Sequence, residues 1–205
     1  MGARLPYFSG SPFARMARVL IDEWALPVAT EEWKFPPDPA LWDLTPAGQV
    51  PVLIEPDRPA LFPTLLILER LWDMAGHPPD AYDPAADRQA LLATLQAGDA
   101  LVTAFYIGWT GLREVATNHI GYGLGERQLH RFGSVLDWLE TRADAGDLRG
   151  GVTLPGVALA CLVLWADARD GYPWRGRPGI EAVVDSLAAR PSFSSTLPRV
   201  WAPER

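Results

Sequence analysis

The fold is decided by the part of the chain that begins with the segment Ala47-Gly48-Gln49-Val50-Pro51-Val52-Leu53. Residues 52–54 and 60–62 are short apolar runs, and the charged, proline-containing segment between them is typical of a turn. The two runs therefore predict a β-hairpin. Leucines at helical spacing follow over residues 64–75 and end at Gly76, which predicts a helix.

The residues before this hairpin predict a β-α-β unit. Residues 4–8 can form a first strand. Ser11 then suits the N-cap of a helix and Pro12 its first position. The apolar face of this helix consists of Phe13, Met16, Leu20 and Trp24. Residues 28–33 predict a second strand, and the proline-containing segment 35–45 is predicted to be irregular. Residues 1–78 are thus expected to form one α/β domain.

From residue 84 onward the sequence predicts helices. A long helix is expected over 86–115, and Leu129, Phe132, Leu136 and Leu139 mark a second helix. Thr153 can cap a third helix that is apolar on nearly all sides over 157–166, as expected at the centre of a bundle. A fourth helix is marked by Ile180, Val183, Val184 and Leu187. We therefore expect an all-α domain over 84–205.

Composition restricts the possible partners. Of 205 residues, 48% are hydrophobic, and the net charge of −7 opposes binding to nucleic acid. No apolar run reaches the roughly 20 residues that span a bilayer, and no secretion signal is recognisable, so we expect no membrane association and a cytoplasmic location. Cys161 is the sole cysteine and no metal-ligand spacing occurs, so neither a disulfide nor a metal site is predicted.

The order of these elements resembles the glutathione transferase superfamily. Ser11-Pro12-Phe13, followed by Arg15 and Arg18, is similar to the first-helix motif of serine-type members, and residues 47–53 are similar to the family's most recognisable segment. The C-terminal region resembles bacterial members at Trp165, Asp167, Arg169, Trp174-Arg175 and Arg190-Pro191-Ser192-Phe193. The resemblance identifies a divergent member with a thioredoxin-like N-terminal domain and a helical-bundle C-terminal domain, the glutathione S-transferase fold.

The resemblance also implies an activity, in which glutathione is the co-substrate and its thiolate is conjugated to a small hydrophobic electrophile by a homodimer. Ser11 would be the catalytic residue that addresses the sulfur. Val50 would pair with the glutathione backbone, and Pro51 would follow a cis peptide bond. The predicted glutathione-binding residues are Gln49, Val50, Pro51, Pro63 and Thr64, and the predicted electrophile site consists of Phe13, Phe105, Tyr106 and Trp109.

Two positions depart from the family pattern. Pro63 stands where an acidic residue usually precedes the hydroxyl residue, here Thr64, that receives the γ-glutamyl group, and proline offers neither a carboxylate nor an N–H. A hydrogen bond to a charged group is worth roughly 1.5–3 kcal/mol, so its loss would weaken glutathione binding by about ten- to a hundredfold. Thr153 is followed by Gly156 where Asp would complete a capping box, which weakens the start of that helix.

Alternatives remain open at several residues. N-capping alone explains Ser11, and Ser9 is a weaker candidate for the thiol-directed role. The aromatic wall is also compatible with core packing. Arg15 and Arg18 are expected on a solvated helix face, and the alternative is that they attract the anionic ligand. For the whole chain, the alternatives are a catalytically weak binding protein and a dimeric interaction module that uses the helix at 64–75 and the long helix.

Overall fold

The N-terminal part of the chain is built on a small sheet, seen in a computed structural model that describes residues 2–34, 38–111 and 123–198. Strand β1 (Ala3–Tyr7) pairs in parallel with β2 (Val28–Glu32). An antiparallel bridge joins Arg4 to Ile54, and another joins Leu53 to Leu61. The predicted hairpin is therefore present, but its strands are reduced to single bridges.

Helix α1 (Pro12–Glu23) begins where the sequence predicts. The Ser11 Oγ accepts a hydrogen bond from the Ala14 N–H at 3.2 Å, and Pro12 takes the first helical position. Residues of α1 are buried on the faces toward the sheet and toward the helical domain. The capped end of the helix consequently has a fixed position behind the loop that follows β1.

The expectation that Arg15 is solvated is wrong. Arg15 is 1% exposed, and its guanidinium donates hydrogen bonds to the Phe193 carbonyl at 3.0 Å and to the Thr196 Oγ1 at 3.4 Å. Burial lowers the pKa of this guanidinium. Arg18 is half-buried, and its guanidinium lies 4.1 Å from the centre of the Tyr7 ring. Arg15 packs within the protein because residues near the C-terminus cover the face of α1 that carries it.

The segment expected to be irregular contains a short helix, α2 (Ala40–Leu44), while residues 35–37 lie outside the described part of the chain. Its Leu41 is fully buried and anchors the segment against Val50 and Val52. Helix α3 (Thr64–Met74) follows the hairpin as predicted and packs against α1.

The remaining elements are helical, as predicted: α4 (Arg88–Trp109), α5 (Leu124–Asp144), α6 (Leu154–Asp167), α7 (Pro178–Ala188) and α8 (Pro191–Ser195). Helix α6 is buried along almost its whole length and contacts α1, α4 and α7, which makes it the centre of the core. The Thr153 Oγ1 caps it by accepting from the Gly156 N–H at 3.1 Å. The division at residues 78 and 84 stays a prediction.

Helix α4 ends earlier than predicted. Thr110 forms its C-cap and Gly111 follows with φ +67°, so the helix stops at Trp109, and residues 112–115 of the predicted helix lie outside the described part of the chain. By length and composition alone, α4 qualifies as a membrane-spanning helix, unlike any other helix in the described ranges. Its Leu91, Leu95 and Leu101 lie in the core beside α5 and α6, which accounts for the apolar composition.

Candidate functional site

A cleft of about 1220 Å³ lies where the sheet-based part of the chain meets the helices. One wall comes from the loop before α1, the segment 48–50 and the start of α3, and the other comes from α4 and the end of α6. Residues that are far apart in the sequence therefore face the same space.

Ser11 lines this cleft beside Ser9 and Gly10. Its Oγ accepts the Ala14 N–H, which leaves its own hydroxyl hydrogen available to a group in the cleft. The Phe13 N–H at the start of α1 has no acceptor among the described residues. A negative charge placed here would meet a hydroxyl donor and the positive end of a helix dipole.

Two side chains of the helical domain hold the loop that carries Ser11. The Gly10 carbonyl accepts a hydrogen bond from Trp165 Nε1 at 2.8 Å and another from Arg169 Nη2 at 3.2 Å. Trp165 is 2% exposed and lies on α6, and Arg169 follows the end of that helix. The position of Ser11 is thus set by the core helix as well as by its own local turn.

Val50 presents an unpaired stretch of backbone to the cleft. The Val50–Pro51 peptide bond is cis, as the resemblance implies. Neither the N–H nor the C=O of Val50 forms a hydrogen bond with any described residue, although the residue is 8% exposed. Buried backbone groups are almost always paired, so this pair can receive a peptide-like ligand in the manner of an added strand.

The other predicted glutathione-binding residues differ in whether they line the cleft. Gln49, Pro63 and Thr64 line the cleft, whereas Pro51 is buried and does not line it. Pro63 precedes α3 without a side-chain cap, and no acidic residue occurs in the first turn of that helix. The carboxylate that the family pattern places here is therefore absent from this end of the cleft.

Asp99 on α4 is a carboxylate of the cleft that sequence motifs did not indicate. Burial raises the pKa of its carboxyl group, and the charge of Arg131 partly opposes this rise. A lone aspartate on an apolar helix carries no recognisable motif. Its place at the cleft follows from the packing of α4 over the first domain.

The four predicted electrophile-site residues all line the cleft, in two environments. Phe13 and Phe105 are partly buried and pack against the core, whereas Tyr106 is 43% exposed and Trp109 is 40% exposed. The ring of Phe105 stacks on Trp109 with centroids 6.3 Å apart. Core packing and a cleft-facing surface thus coexist among these four side chains of α1 and α4.

The lone thiol has no part in this site. Cys161 is fully buried in α6, and burial raises its pKa to about 12, so the thiol is protonated at neutral pH. Within the described ranges, His, Cys, Asp and Glu side chains form no group that could hold a metal ion.

Known proteins resemble both the N-terminal residues of this chain and its overall fold. Residues 5–79 match the family model for the glutathione S-transferase N-terminal domain. A glutathione transferase family member from Pseudomonas fluorescens, solved with bound glutathione, is 26% identical with a TM-score of 0.78, over 97% of this chain and 100% of that chain. The chain has the glutathione S-transferase fold.

Two further solved structures share this glutathione S-transferase fold over nearly the full length of both chains. The enzyme from Methylobacillus flagellatus with bound glutathione is 24% identical with a TM-score of 0.80, over 97% of this chain and 100% of that chain. The one from Methylobacterium radiotolerans, in complex with glutathione sulfonate, is 23% identical with a TM-score of 0.78, over 100% of this chain and 99% of that chain. A comparison with curated proteins gave no significant match. The family model thus matches the N-terminal residues 5–79, and the solved structures show the same fold over nearly the whole chain.

Proposed function

We propose that this chain binds glutathione in the cleft and transfers its thiolate to a small hydrophobic electrophile. The observation that carries the proposal is the unpaired backbone of Val50, which lines the same cleft as the free hydroxyl hydrogen of Ser11. Glutathione is a peptide with a thiol, so it needs both a strand-like partner and a thiolate-stabilising donor. That the relatives described above were solved with bound glutathione or its sulfonate is consistent with this proposal.

The chemistry follows from the environment of Ser11. A free thiol has a pKa near 8.5, and the thiolate is the nucleophile. A hydrogen bond from the Ser11 hydroxyl and the dipole of α1 both favour the anion, and each pKa unit gained corresponds to about 1.4 kcal/mol. The sulfur then forms a bond to the electrophilic carbon, the leaving group departs with its electron pair, and the thiol proton passes to solvent.

The alternative is a catalytically weak binding protein, and Pro63 favours it. Without a carboxylate at that position, the ammonium group of the γ-glutamyl end loses its usual partner. Asp99 lines the same cleft and is the described carboxylate that we expect to take over this contact. The resulting affinity decides whether the thiolate is held long enough to react.

The test measures the absorbance of the thiolate of bound glutathione as a function of pH, in wild type and in Ser11→Ala. We expect a thiol pKa below 8.5 in wild type and a rise of about one unit or more in the variant. Thr153→Ala is the matched control, because Thr153 also caps a helix and its Oγ1 accepts a backbone N–H at 3.1 Å. Each variant should lose about 1 kcal/mol of stability through the lost cap, but the control should leave the thiol pKa unchanged.

If Ser11→Ala leaves the thiol pKa unchanged, the serine is a helix cap and the catalytic proposal fails. If glutathione neither binds nor reacts at millimolar concentration, the binding proposal fails as well. Retention of a different ligand, insensitive to Ser11→Ala, would favour the alternative.

A homodimer and a cytoplasmic location complete the proposal. Leu66 on α3 and Leu92 on α4 are exposed, at 41% and 38%, on the two helices that the sequence singled out for self-association. Contiguous exposed apolar patches mark protein–protein interfaces, and the proposal assigns these two leucines to such a patch. Light scattering of the purified chain, with Leu66→Glu as the comparison, measures this directly; a monomeric wild type would contradict it.

A further inference from the structure

Arg169 places a cationic group on the wall of the cleft. Its guanidinium lies 4.1 Å from the centre of the Trp165 ring and 5.5 Å from that of Phe105. The Nη2 donates to the Gly10 carbonyl, whereas the Nη1 is buried and has no hydrogen-bond partner among the described residues. A guanidinium has five N–H donors, so most of its capacity is unused.

This charge also lacks a counter-ion. No carboxylate of the described chain lies within ion-pair distance of Arg169, although its neighbour Asp167 accepts from Trp174 at 2.7 Å and pairs with Arg175 at 3.4 Å. Burial lowers the pKa of Arg169 to about 10, so the group remains charged at neutral pH. An unpaired, half-buried cation with an unsatisfied donor is costly unless an anion completes the site.

The neighbours of Arg169 indicate what the anion would be attached to. Phe105, Tyr106 and Trp109 line the cleft beside it, and Tyr106 and Trp109 are partly exposed. Flat aromatic walls favour a flat apolar body, and a planar guanidinium favours a carboxylate, which it can bind with two parallel hydrogen bonds.

We infer that Arg169 is a specificity-determining residue that recognises the carboxylate of an aromatic electrophile. The inference rests on the proposed function, since it names the class of electrophile for the same cleft. In the reaction with an aryl halide, the glutathione sulfur bonds to the ring carbon that carries the halogen. The halide leaves with the bonding electrons, and the carboxylate stays unchanged on Arg169.

The experiment compares 4-chloro-3,5-dinitrobenzoate with 4-chloro-3,5-dinitrobenzamide, each rate divided by the rate with free glutathione. Wild type should prefer the carboxylate in kcat/KM by about ten- to a hundredfold. Arg169→Gln should abolish this preference whatever it does to both rates together through the Gly10 loop, whereas Arg169→Lys should keep part of the preference because it retains the charge. Arg175→Gln, which removes an exposed arginine outside the cleft, should change neither rate.

A second readout does not require catalysis. Calorimetric titration of 3,5-dinitrobenzoate and 3,5-dinitrobenzamide should show the same preference in wild type and its loss in Arg169→Gln. If neither electrophile is conjugated, the proposed function fails while calorimetry still decides the role of Arg169.

Three results would overturn the inference. Equal loss with both electrophiles, with the carboxylate preference preserved, would limit Arg169 to its structural contact with the Gly10 loop. A raised thiol pKa in Arg169→Gln, with the carboxylate preference intact, would assign the arginine to the thiolate. Absence of any carboxylate preference in wild type, by rate and by binding, would refute it even if Arg169→Gln does not fold.

Discussion

At the scale of single residues, Gly48 determines the path of the chain into Val50. Gly48 has φ +58°, and a Cβ at this position would lie 2.5 Å from Cη2 of Trp42. Gly48→Ala therefore combines a left-handed backbone with a steric clash, and we expect it to lower the free energy of unfolding by about 1–3 kcal/mol. Because Val50 would move with the turn, glutathione affinity should fall several-fold in a calorimetric titration.

Gly146→Ala separates the cost of the left-handed backbone from the cost of the steric clash. Gly146 has φ +79°, but a Cβ there would meet nothing within 4 Å, so this variant carries the backbone cost alone. It should lose some stability and bind glutathione like wild type. Wild-type affinity in Gly48→Ala would show that the turn does not orient Val50.

Single residues also show which parts of the site the sequence could predict. The role of Ser11 as a cap was predictable because it depends on a few neighbouring residues. The contact between Arg169 and Gly10 was not, because it joins positions 159 residues apart and exists only once α6 packs behind the loop. Arg15 was misassigned for the same reason, since the residues that cover it lie near the C-terminus.

At the scale of elements, an ion pair strengthens the link between α1 and α8, beside the hydrogen bond from Arg15 to the Phe193 carbonyl. The Glu23 carboxylate accepts from Arg190 Nε at 2.7 Å and from Arg190 Nη2 at 2.6 Å. The Arg190 hydrogen bonds hold the pKa of Glu23 below its usual value, with Ser192 contributing and burial opposing. Since Arg190 is 42% exposed, we expect Arg190→Ala to lower the free energy of unfolding by about 1–2 kcal/mol at pH 7.

The sign of the pH dependence follows from the lowered pKa of Glu23. Its stabilising effect is fully present above the unfolded pKa of about 4.3 and is lost as the pH falls through the lower folded pKa. The stability difference between wild type and Glu23→Gln, measured by urea unfolding, should thus shrink below about pH 4.3. The exposed pair of Arg4 and Glu31 is the control, and Arg4→Ala should cost less than about 0.5 kcal/mol. A difference that stays constant with pH would contradict this account.

Elements were predictable where the pattern was periodic and less so at their ends. Helix α6 followed from its unbroken apolar run and its Thr153 cap. Helix α2 was missed because prolines surround a single buried residue, Leu41, which tertiary packing alone stabilises. The end of α4 was misplaced because Gly108 and Gly111 both interrupt the pattern, and only Gly111 takes a positive φ.

At the scale of the whole molecule, the Gly10 carbonyl is one of the points at which the two parts of the chain are joined. The donors Trp165 and Arg169 belong to the helical part, and the acceptor belongs to the loop that carries Ser11. This arrangement makes the geometry of the cleft wall that carries Ser11 depend on the position of α6. Folding of the helices and binding of the ligand should consequently be coupled.

Trp165→Phe tests the coupling, because it keeps a ring for Arg169 to stack on and removes the indole donor. We expect a loss of about 1 kcal/mol in the free energy of unfolding and a fall of about fivefold in glutathione affinity. Trp138→Phe is the control, since the Trp138 indole N–H forms no hydrogen bond with a described residue and Trp138 does not line the cleft. A Trp165→Phe variant that loses stability yet binds glutathione as tightly as wild type would show that the helical part supports the fold without setting the position of Ser11.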